Sequence, residues 1–236
     1  MDKGILYLIP VPINRDQKMS DTLLPIYLEV VTDLEYFVVE NPKTARAFLK
    51  DIPMKKKMQD INMTELSEHT QENEISELLQ PIMEGHNLGL MSDAGVPSIA
   101  DPGYRLVSLA QRAGIQVIPF VGPSSILLAL MASGLNGQNF SFNGYLPKEN
   151  GLKRKRIKTL ERIAISSNQT QIFMETPYKN QHMIEDILDV CEDSTRLCIA
   201  MNIMSDNEFI VTKKIADWRK EIVSLEKNPC LFLINR

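Results

Sequence analysis

The sequence predicts an α/β protein of two domains, a mainly parallel sheet in residues 1–120 and a mixed α+β domain in residues 121–236. Up to about residue 134, apolar runs alternate with helical patterns, as they do in parallel sheets. Beyond about residue 121 the strand-like runs are shorter and have polar neighbours. Three of the early runs end in loops of small residues, and ligands of open α/β sheets collect at such carboxyl ends of strands.

The first predicted strand covers residues 4–11, a nearly continuous apolar run of the kind found where both faces of a strand are covered. Pro10 and Pro12 cannot donate to a sheet ladder, so the chain should leave the sheet there. Asn41 and Pro42 form a strong helix start. The spacing of apolar residues predicts helices over residues 20–32, 43–49 and 74–83 and a second strand over residues 36–40. The lysines at 55–57 lie in a polar stretch, which fits a solvated loop better than a nucleic-acid contact.

The loop that begins at Ser92 follows a buried strand over residues 88–91. Asp93 places a carboxylate just past the strand, and Ala94 and Gly95 let a ligand approach the backbone. We interpret this loop as the floor of a ligand site. The alternative is a tight strand-to-helix turn that uses Asp, Gly and Pro for backbone geometry alone.

The rest of the first domain repeats this arrangement. Asp101 is expected to cap a helix that runs to residue 113 and ends at Gly114. An apolar strand over residues 115–121 then leads into Gly122-Pro-Ser-Ser125, and a helix is expected over residues 126–133. Free N–H groups at such a helix start suit carboxylate, hydroxyl or phosphate groups of a ligand.

The second domain should contain five short strands, over residues 141–146, 171–175, 196–201, 208–213 and 229–234. Between the first two lies a basic helix, over residues 148–162. Its cations form either a solvated face or a surface that contacts the phosphates of an RNA.

Composition excludes several classes of protein. Apolar residues make up 44% and charged residues 24%, as in ordinary globular proteins, and the net charge of −4 weighs against a protein that coats nucleic acid with its whole surface. No apolar run approaches the roughly 20 residues that span a bilayer and the N-terminus lacks a signal-peptide pattern, so a cytoplasmic location without membrane contact is expected. Three cysteines without a Cys-x-x-Cys pair and three scattered histidines argue against a disulfide framework and a metal site.

Five segments together resemble the tetrapyrrole methylase superfamily, and within it the ribosomal RNA small subunit methyltransferase I group. They are Leu6-Tyr-Leu-Ile-Pro-Val-Pro-Ile13, Ser92-Asp-Ala-Gly-Val-Pro-Ser-Ile-Ala-Asp-Pro-Gly103, Gly122-Pro-Ser124, Gly144-Tyr-Leu-Pro147 and Phe173-Met-Glu-Thr-Pro177. The resemblance implies two α/β domains, S-adenosylmethionine in the cleft between them, and a homodimer. On the same basis the cofactor would be bound by Pro12, Ser92, Asp93, Ala94, Gly95, Ser124, Ser125, Met174 and the backbone near Ala200.

The chain departs from the family pattern mainly on the presumed substrate side. Asn14-Arg15 replaces the usual Gly-Asn, Tyr178-Lys179 replaces His-Arg, and Asn228-Pro229 replaces Gly-Glu. Where family members have Glu-Asp-Thr-Arg, this chain has Glu40-Asn-Pro-Lys43. Where they have Ala-Arg-Glu-Leu-Thr-Lys, residues 200–205 of this chain are Ala-Met-Asn-Ile-Met-Ser.

The resemblance implies a methyltransferase that acts on ribosomal RNA at a ribose 2'-hydroxyl. From its concentration of basic residues, we expect the helix from Lys153 to Arg162 to steer the phosphates of that RNA. Glu40, Glu175 and Lys179 are then the candidates for the base that takes the hydroxyl proton; otherwise they are helix-cap or sheet-edge charges. The alternatives are a methylase of a tetrapyrrole or other small molecule, and a protein that binds S-adenosylmethionine without turnover. A nucleotide-using α/β enzyme is weaker still, because the chain has neither Gly-x-Gly-x-x-Gly nor a P-loop.

Overall fold

The computed structural model describes residues 3–14, 16–221, 223–225 and 227–236. The chain divides into two compact units, residues 1–124 and 125–236, here called unit 1 and unit 2. The division predicted from the sequence, between residues 120 and 121, stays a prediction.

Unit 1 is built on a five-stranded parallel sheet. Its strands are β1 (Leu6–Leu8), β2 (Tyr36–Val39), β3 (Asn62–Glu65), β4 (Leu88–Met91) and β5 (Val117–Pro119), in the order β3-β2-β4-β1-β5. β1 and β4 are buried on both faces, which explains their continuous apolar sequence. β1 is shorter than the predicted 4–11 because the prolines that follow cannot donate to a ladder.

The helices of unit 1 are α1 (Met19–Thr22), α2 (Pro25–Asp33), α3 (Pro42–Leu49), α4 (Glu72–Glu77), α5 (Gln80–Met83) and α6 (Gly103–Arg112). The prediction of α3 is confirmed, with the Asn41 side chain accepting from the N–H groups of Lys43 and Thr44. Single helices over 20–32 and 74–83 are wrong. Each is interrupted ahead of a proline. Leu24, before Pro25, has extended backbone, as the residue before a proline prefers. Pro81 lies in the first turn of α5, where its missing N–H and its ring exclude the hydrogen bond to the carbonyl of Glu77 that a continuous helix would need.

Sequence analysis missed β3 altogether. Its residues are mostly exposed and polar, so they lack an alternating pattern, and only their pairing with β2 makes them a strand. The lysines at 55–57 precede it, and two of them form ion pairs, Lys55 with Asp33 and Lys56 with Glu35. These pairs agree with the interpretation of this stretch as a solvated loop.

Unit 2 contains a five-stranded mixed sheet. Its strands are β6 (Phe140–Tyr145), β7 (Thr170–Met174), β8 (Arg196–Met201), β9 (Phe209–Lys214) and β10 (Cys230–Asn235), in the order β6-β7-β10-β8-β9. Only β6 and β7 run parallel; the other neighbours are antiparallel. All five predicted strands exist, and each observed boundary lies within one residue of the prediction.

Helices cover both faces of the unit 2 sheet. α7 (Ser125–Ser133) packs on one face, over side chains such as Ile172, Cys198 and Leu233. α8 (Asn150–Ser167), α9 (Asn180–Val190) and α10 (Ile215–Trp218) pack on the other, over Phe173 and Phe232. Residues that neighbour one another along a strand therefore enter different cores, as the period of two requires. Cys191, Cys198 and Cys230 are buried free thiols.

Candidate functional site

Three loops meet at the carboxyl edge of the unit 1 sheet. They follow β1, β4 and β5, whose parallel direction brings all three strand ends to the same edge. The N–H of Val11 donates to the carbonyl of Gly95 at 2.8 Å, which joins the first loop to the second. Five of the predicted cofactor residues, Pro12, Ser92, Asp93, Ala94 and Gly95, lie in these two joined loops, and Ser124 ends the third.

Two glycines allow the loops to approach so closely. Gly95 has a φ of +73°, and a Cβ atom on it would lie 3.2 Å from the carbonyl oxygen of Pro123. A Cβ on Gly122 would lie 2.0 Å from the Cβ of Pro10. Residues with side chains would push the loops apart, so these glycines set the shape of the edge.

Glu40 holds the second loop from the end of β2. Its Oε2 accepts the N–H of Asp93 at 3.0 Å, and its own N–H donates to the carbonyl of Met91 at 3.2 Å. Burial raises the pKa of the Glu40 carboxyl, the hydrogen bond from Asp93 lowers it, and the nearby charges of Asp93 and Glu68 raise it further. The candidate base therefore also supports the loop that carries Asp93.

Asp101 organises the end of the second loop. Its Oδ2 accepts the N–H of Ser98 at 2.8 Å and its Oδ1 that of Gly103, the first residue of α6, at 2.6 Å, so it serves the helix start as predicted. Ser98 and Ala100 both have positive φ, a conformation that side chains disfavour and that the Asp101 bonds help to hold. The Oγ of Ser98 is buried without a hydrogen-bond partner among the described residues.

Burial raises the pKa of Asp101 to about 6, against the lowering effect of its two backbone hydrogen bonds. The folded state thus holds this proton more tightly than the unfolded chain, in which an aspartate has a pKa of 3.8. Ionisation of Asp101 therefore costs folding stability. That loss develops as the pH rises from about 4 to about 6, and stability from this group is greatest below that range.

The predicted site residues of unit 2 lie at one end of its sheet. Met174 and Ala200 are both in register with Leu231, and all three belong to the apolar cluster beneath α7. Ala200 is fully buried in a strand paired on both sides. Ser125, the remaining candidate in unit 2, is the first residue of α7.

Glu175 and Lys179 follow β7 at the same end of the sheet. The Oε1 of Glu175 accepts the N–H of Thr176 at 2.7 Å, and the N–H of Lys179 donates to the carbonyl of Thr176 at 2.8 Å. Glu175 is half-buried and the Lys179 side chain is exposed. The carboxylate of Glu175 thus has a local role in the turn, as one of the alternatives from the sequence holds.

The cations of the basic helix α8 are less exposed than the sequence predicted. Lys153 is buried, with 7% of its surface exposed, and its Nζ lies 2.6 Å from a carboxylate oxygen of Asp186 on α9. Arg154 pairs with Asp186 and Asp189 on α9, and Lys158 pairs with Glu161 on its own helix and with Glu192, just past α9, at 3.7 Å. These three cations attach α8 to its own unit, so the helix from Lys153 to Arg162 does not present its full charge to phosphates. The polar side chains on α9 had given no signal of this in the sequence.

Three asparagines form a cluster at the same end of the unit 2 sheet, and sequence analysis had not assigned them a role. The Nδ2 of Asn180 donates to the carbonyl of Asn228 at 2.7 Å, and the Nδ2 of Asn202 donates to the Oδ1 of Asn228 at 3.1 Å. Asn202 has a φ of 52°, which asparagine tolerates better than most residues. The cluster links the start of α9 to the turns that flank β8 and β10, where the chain departs from the family pattern.

Comparison with known proteins decides the family. The model of the tetrapyrrole (corrin/porphyrin) methylases matches residues 28–218. The chain belongs to this family. It is 30% identical over 234 residues to the ribosomal RNA small subunit methyltransferase I of Vibrio cholerae, covering 98% of this chain and 77% of that protein. It is 28% identical over 235 residues to the protein of the same name from Escherichia coli O157:H7, covering 98% and 78%.

The fold of this methylase is also that of solved family members. The crystal structure of the methyltransferase CobJ superposes with a TM-score of 0.64 at 15% sequence identity, covering 99% of this chain and 94% of that one. The predicted two-domain tetrapyrrole-methylase-like fold is therefore confirmed. The methylase is an S-adenosylmethionine-dependent methyltransferase, as the resemblance implied.

The described part of the methylase has neither a metal centre nor a membrane-spanning helix. Among the described residues, no group of three or more His, Cys, Asp and Glu side chains is arranged to hold a metal ion. Within the same part of the chain, no helix is long and apolar enough to cross a membrane. Arg15, one of the departures from the family pattern, lies outside the described residues.

Proposed function

We propose that this methylase transfers a methyl group from S-adenosylmethionine to a ribose 2'-hydroxyl of small-subunit ribosomal RNA. The relatives that match nearly the whole chain bear the name of that RNA, which supports the acceptor. The main support for a binding site for the methyl donor is that three loops of unit 1 meet at Gly95.

The unit 1 loops fit the cofactor in shape and in charge. Gly95 and Gly122 leave room where side chains would fill the edge, and the buried Oγ of Ser98 offers a polar group. The charge of Asp93 raises the pKa of the Glu40 carboxyl, and the charge of Glu40 in turn raises the pKa of Asp101. A ligand that carries an ammonium and a sulfonium would relieve that repulsion. Pro12, Ser92, Ala94 and Ser124 complete this set, and Ser125, Met174 and Ala200 stay the cofactor residues proposed for unit 2.

The bound cofactor supplies an electrophilic methyl group on a sulfonium. The residues of the chain must hold the acceptor oxygen in line with it and take the hydroxyl proton, and a positioned base contributes about 10²–10⁴-fold to such a step. Of the three candidates, Glu40 is the best supported: it lies beside the loop of Asp93, and burial raises its pKa towards neutrality, as suits a base. Its Oε2 binds the Asp93 N–H, so Oε1 is the atom that takes the proton. Glu175 and Lys179 are the alternatives.

Two measurements test this function. Calorimetric titration with S-adenosylmethionine and with its demethylated product should show binding of both. Purified small-subunit RNA should then accept a radiolabelled methyl group, and the labelled linkage should resist alkaline hydrolysis, because that cleavage requires a free 2'-hydroxyl. Label at an alkali-sensitive linkage would move the acceptor to a base, and binding without transfer to any RNA would favour a non-catalytic binding protein or another acceptor.

We further propose that the methylase works as a homodimer in the cytoplasm, where its RNA substrate is found. The family resemblance supports the dimer, and α7 offers exposed apolar side chains, Leu127 and Met131, that a second copy could cover. Light scattering should give twice the chain mass of 26.8 kDa, and Met131→Asp should reduce it to one chain if this surface is the interface. A wild-type mass of one chain would refute the dimer.

A further inference from the structure

Two exposed tyrosines lie at the end of the unit 2 sheet that carries Met174. Tyr145 ends β6, is in register with Met174, and is 60% exposed. The register of β6 shifts just before it, at Gly144 with a φ of +62°, and such bulges re-aim the side chain that follows. Tyr178 lies four residues past Met174, in a short 3-10 helix from Pro177 to Lys179, and is 81% exposed.

Three exposed lysines lie in the same loops as these tyrosines or are hydrogen-bonded to those loops through the backbone. Lys148 follows Tyr145 by three residues, and Lys179 is next to Tyr178. The backbone of Lys227 lies beside the residue before Tyr178, because its N–H donates to the carbonyl of Pro177 at 3.3 Å. None of the three lysines forms an ion pair with a described residue.

The charges at this end are not uniformly positive. Glu175 and Glu208 also lie here, each accepting a backbone N–H at 2.7 Å, and Asp206 is in the turn before β9. Charge alone would therefore attract an RNA weakly. The tyrosine rings are the feature that distinguishes this surface, since stacking on a base does not depend on net charge.

We propose that Tyr145, Lys148, Tyr178, Lys179 and Lys227 form a surface, here called the sheet-end surface, that binds unpaired nucleotides of the RNA substrate. The inference rests on the proposed function and adds the form of RNA that is recognised. Bases in a duplex are already stacked on one another, whereas an unpaired base can lie on a tyrosine ring while a lysine contacts its phosphate. Because Lys153, Arg154 and Lys158 of α8 form ion pairs within the unit, fewer cations of the predicted helix can contact phosphates, and the sheet-end surface offers lysines that can.

The test measures the affinity of the full chain for a fluorescein-labelled 12-nucleotide single-stranded RNA and for a duplex of the same length, by fluorescence anisotropy. Tyr178→Ala should weaken binding of the single strand about 5- to 100-fold and leave its salt dependence nearly unchanged. Tyr178→Phe keeps the ring and should bind as wild type does. Lys148→Ala should instead lower the salt dependence.

Tyr104→Ala is the matched control. Tyr104 lies on α6 of unit 1 and is 61% exposed, so its removal takes away an exposed ring of the other unit and should not change RNA affinity. Calorimetric binding of S-adenosylmethionine should stay at the wild-type value in all four variants, which shows that they are folded.

Equal RNA affinity of wild type, Tyr178→Ala and Tyr104→Ala would overturn the proposal while leaving the proposed function intact. A change of oligomeric mass in Tyr178→Ala without a change in RNA affinity would also overturn it, since the surface would then bind protein. Wild-type protein that binds S-adenosylmethionine but neither RNA probe nor small-subunit RNA would instead refute the RNA acceptor itself.

Discussion

Glu40 offers the sharpest test of the site, because one substitution separates its two assigned roles. Glu40→Ala removes the carboxylate that accepts the Asp93 N–H at 3.0 Å and leaves the loop without its support from β2. A hydrogen bond to a charged group contributes about 1.5–3 kcal/mol, and we take the lower end because Glu40 is half-exposed. A loss of about 1.5 kcal/mol corresponds to roughly tenfold weaker binding of S-adenosylmethionine.

Glu40→Gln is the matched control. Its amide oxygen can still accept the Asp93 N–H, so cofactor binding should stay within about twofold of wild type, a difference of about 0.4 kcal/mol. Its amide cannot take a proton, so methyl transfer at saturating cofactor should fall by about 10²-fold or more.

Calorimetric titration at pH 7 measures the first effect, and single-turnover transfer to small-subunit RNA measures the second. Unchanged cofactor affinity in folded Glu40→Ala would refute the supporting role of Glu40. Full transfer activity in Glu40→Gln would refute its role as the base and turn attention to Glu175 and Lys179.

Three further predictions concern the stability of the fold, each measured as a free energy of unfolding in urea. Gly95→Ala should cost about 1–2 kcal/mol, because alanine resists the positive φ at this position, and it should weaken cofactor binding. In the control Gly137→Ala a Cβ would meet nothing within 4 Å, so the cost should be less than about 0.5 kcal/mol, and equal costs in the two variants would contradict the prediction. Lys153→Met should cost about 2 kcal/mol, less than the roughly 3–5 kcal/mol of a fully unpaired buried charge, because Asp186 loses its buried partner but keeps the more exposed Arg154. A similar loss in Lys155→Met, at an exposed position on the same helix, would show that the ion pair is not the cause. Ionisation of Asp101 should lower the free energy of unfolding by about 1–2 kcal/mol as the pH rises from about 4 to about 7. Asp101→Asn should therefore flatten the pH dependence of stability, and an identical pH profile in the variant and the wild type would exclude Asp101 as its source.

The sequence alone predicted the strands of unit 2 to within one residue, and in unit 1 it predicted the strand before the Asp93 loop and the helix α3. These are segments whose pattern reflects local constraints, such as the buried run Leu88–Met91 or the Asn41 cap of α3. At Pro25 the prediction followed the helical spacing of apolar residues and disregarded the effect of proline on the backbone, so it merged two helices into one.

The roles of the charged residues could not be predicted in the same way. A run of lysines and arginines along α8 is the same sequence whether it faces solvent or meets Asp186 and Asp189 on α9. The edge strand β3 likewise depends on β2, from which it is separated by more than twenty residues. Such partners are brought together only by the tertiary fold, so a local pattern carries no record of them.

What the sequence by itself determined is the family, the α/β fold and the loops that approach Gly95, because glycine, proline and aspartate at fixed spacings constrain the backbone directly. What only the tertiary structure decided is which charges remain available. Folding places Lys153 in a buried ion pair, ties Glu40 to the backbone of Asp93, and leaves Tyr178 and Lys179 exposed at the end of a sheet. The physical reason is that burial and electrostatic pairing depend on residues far apart in the chain, whereas backbone geometry depends on neighbours.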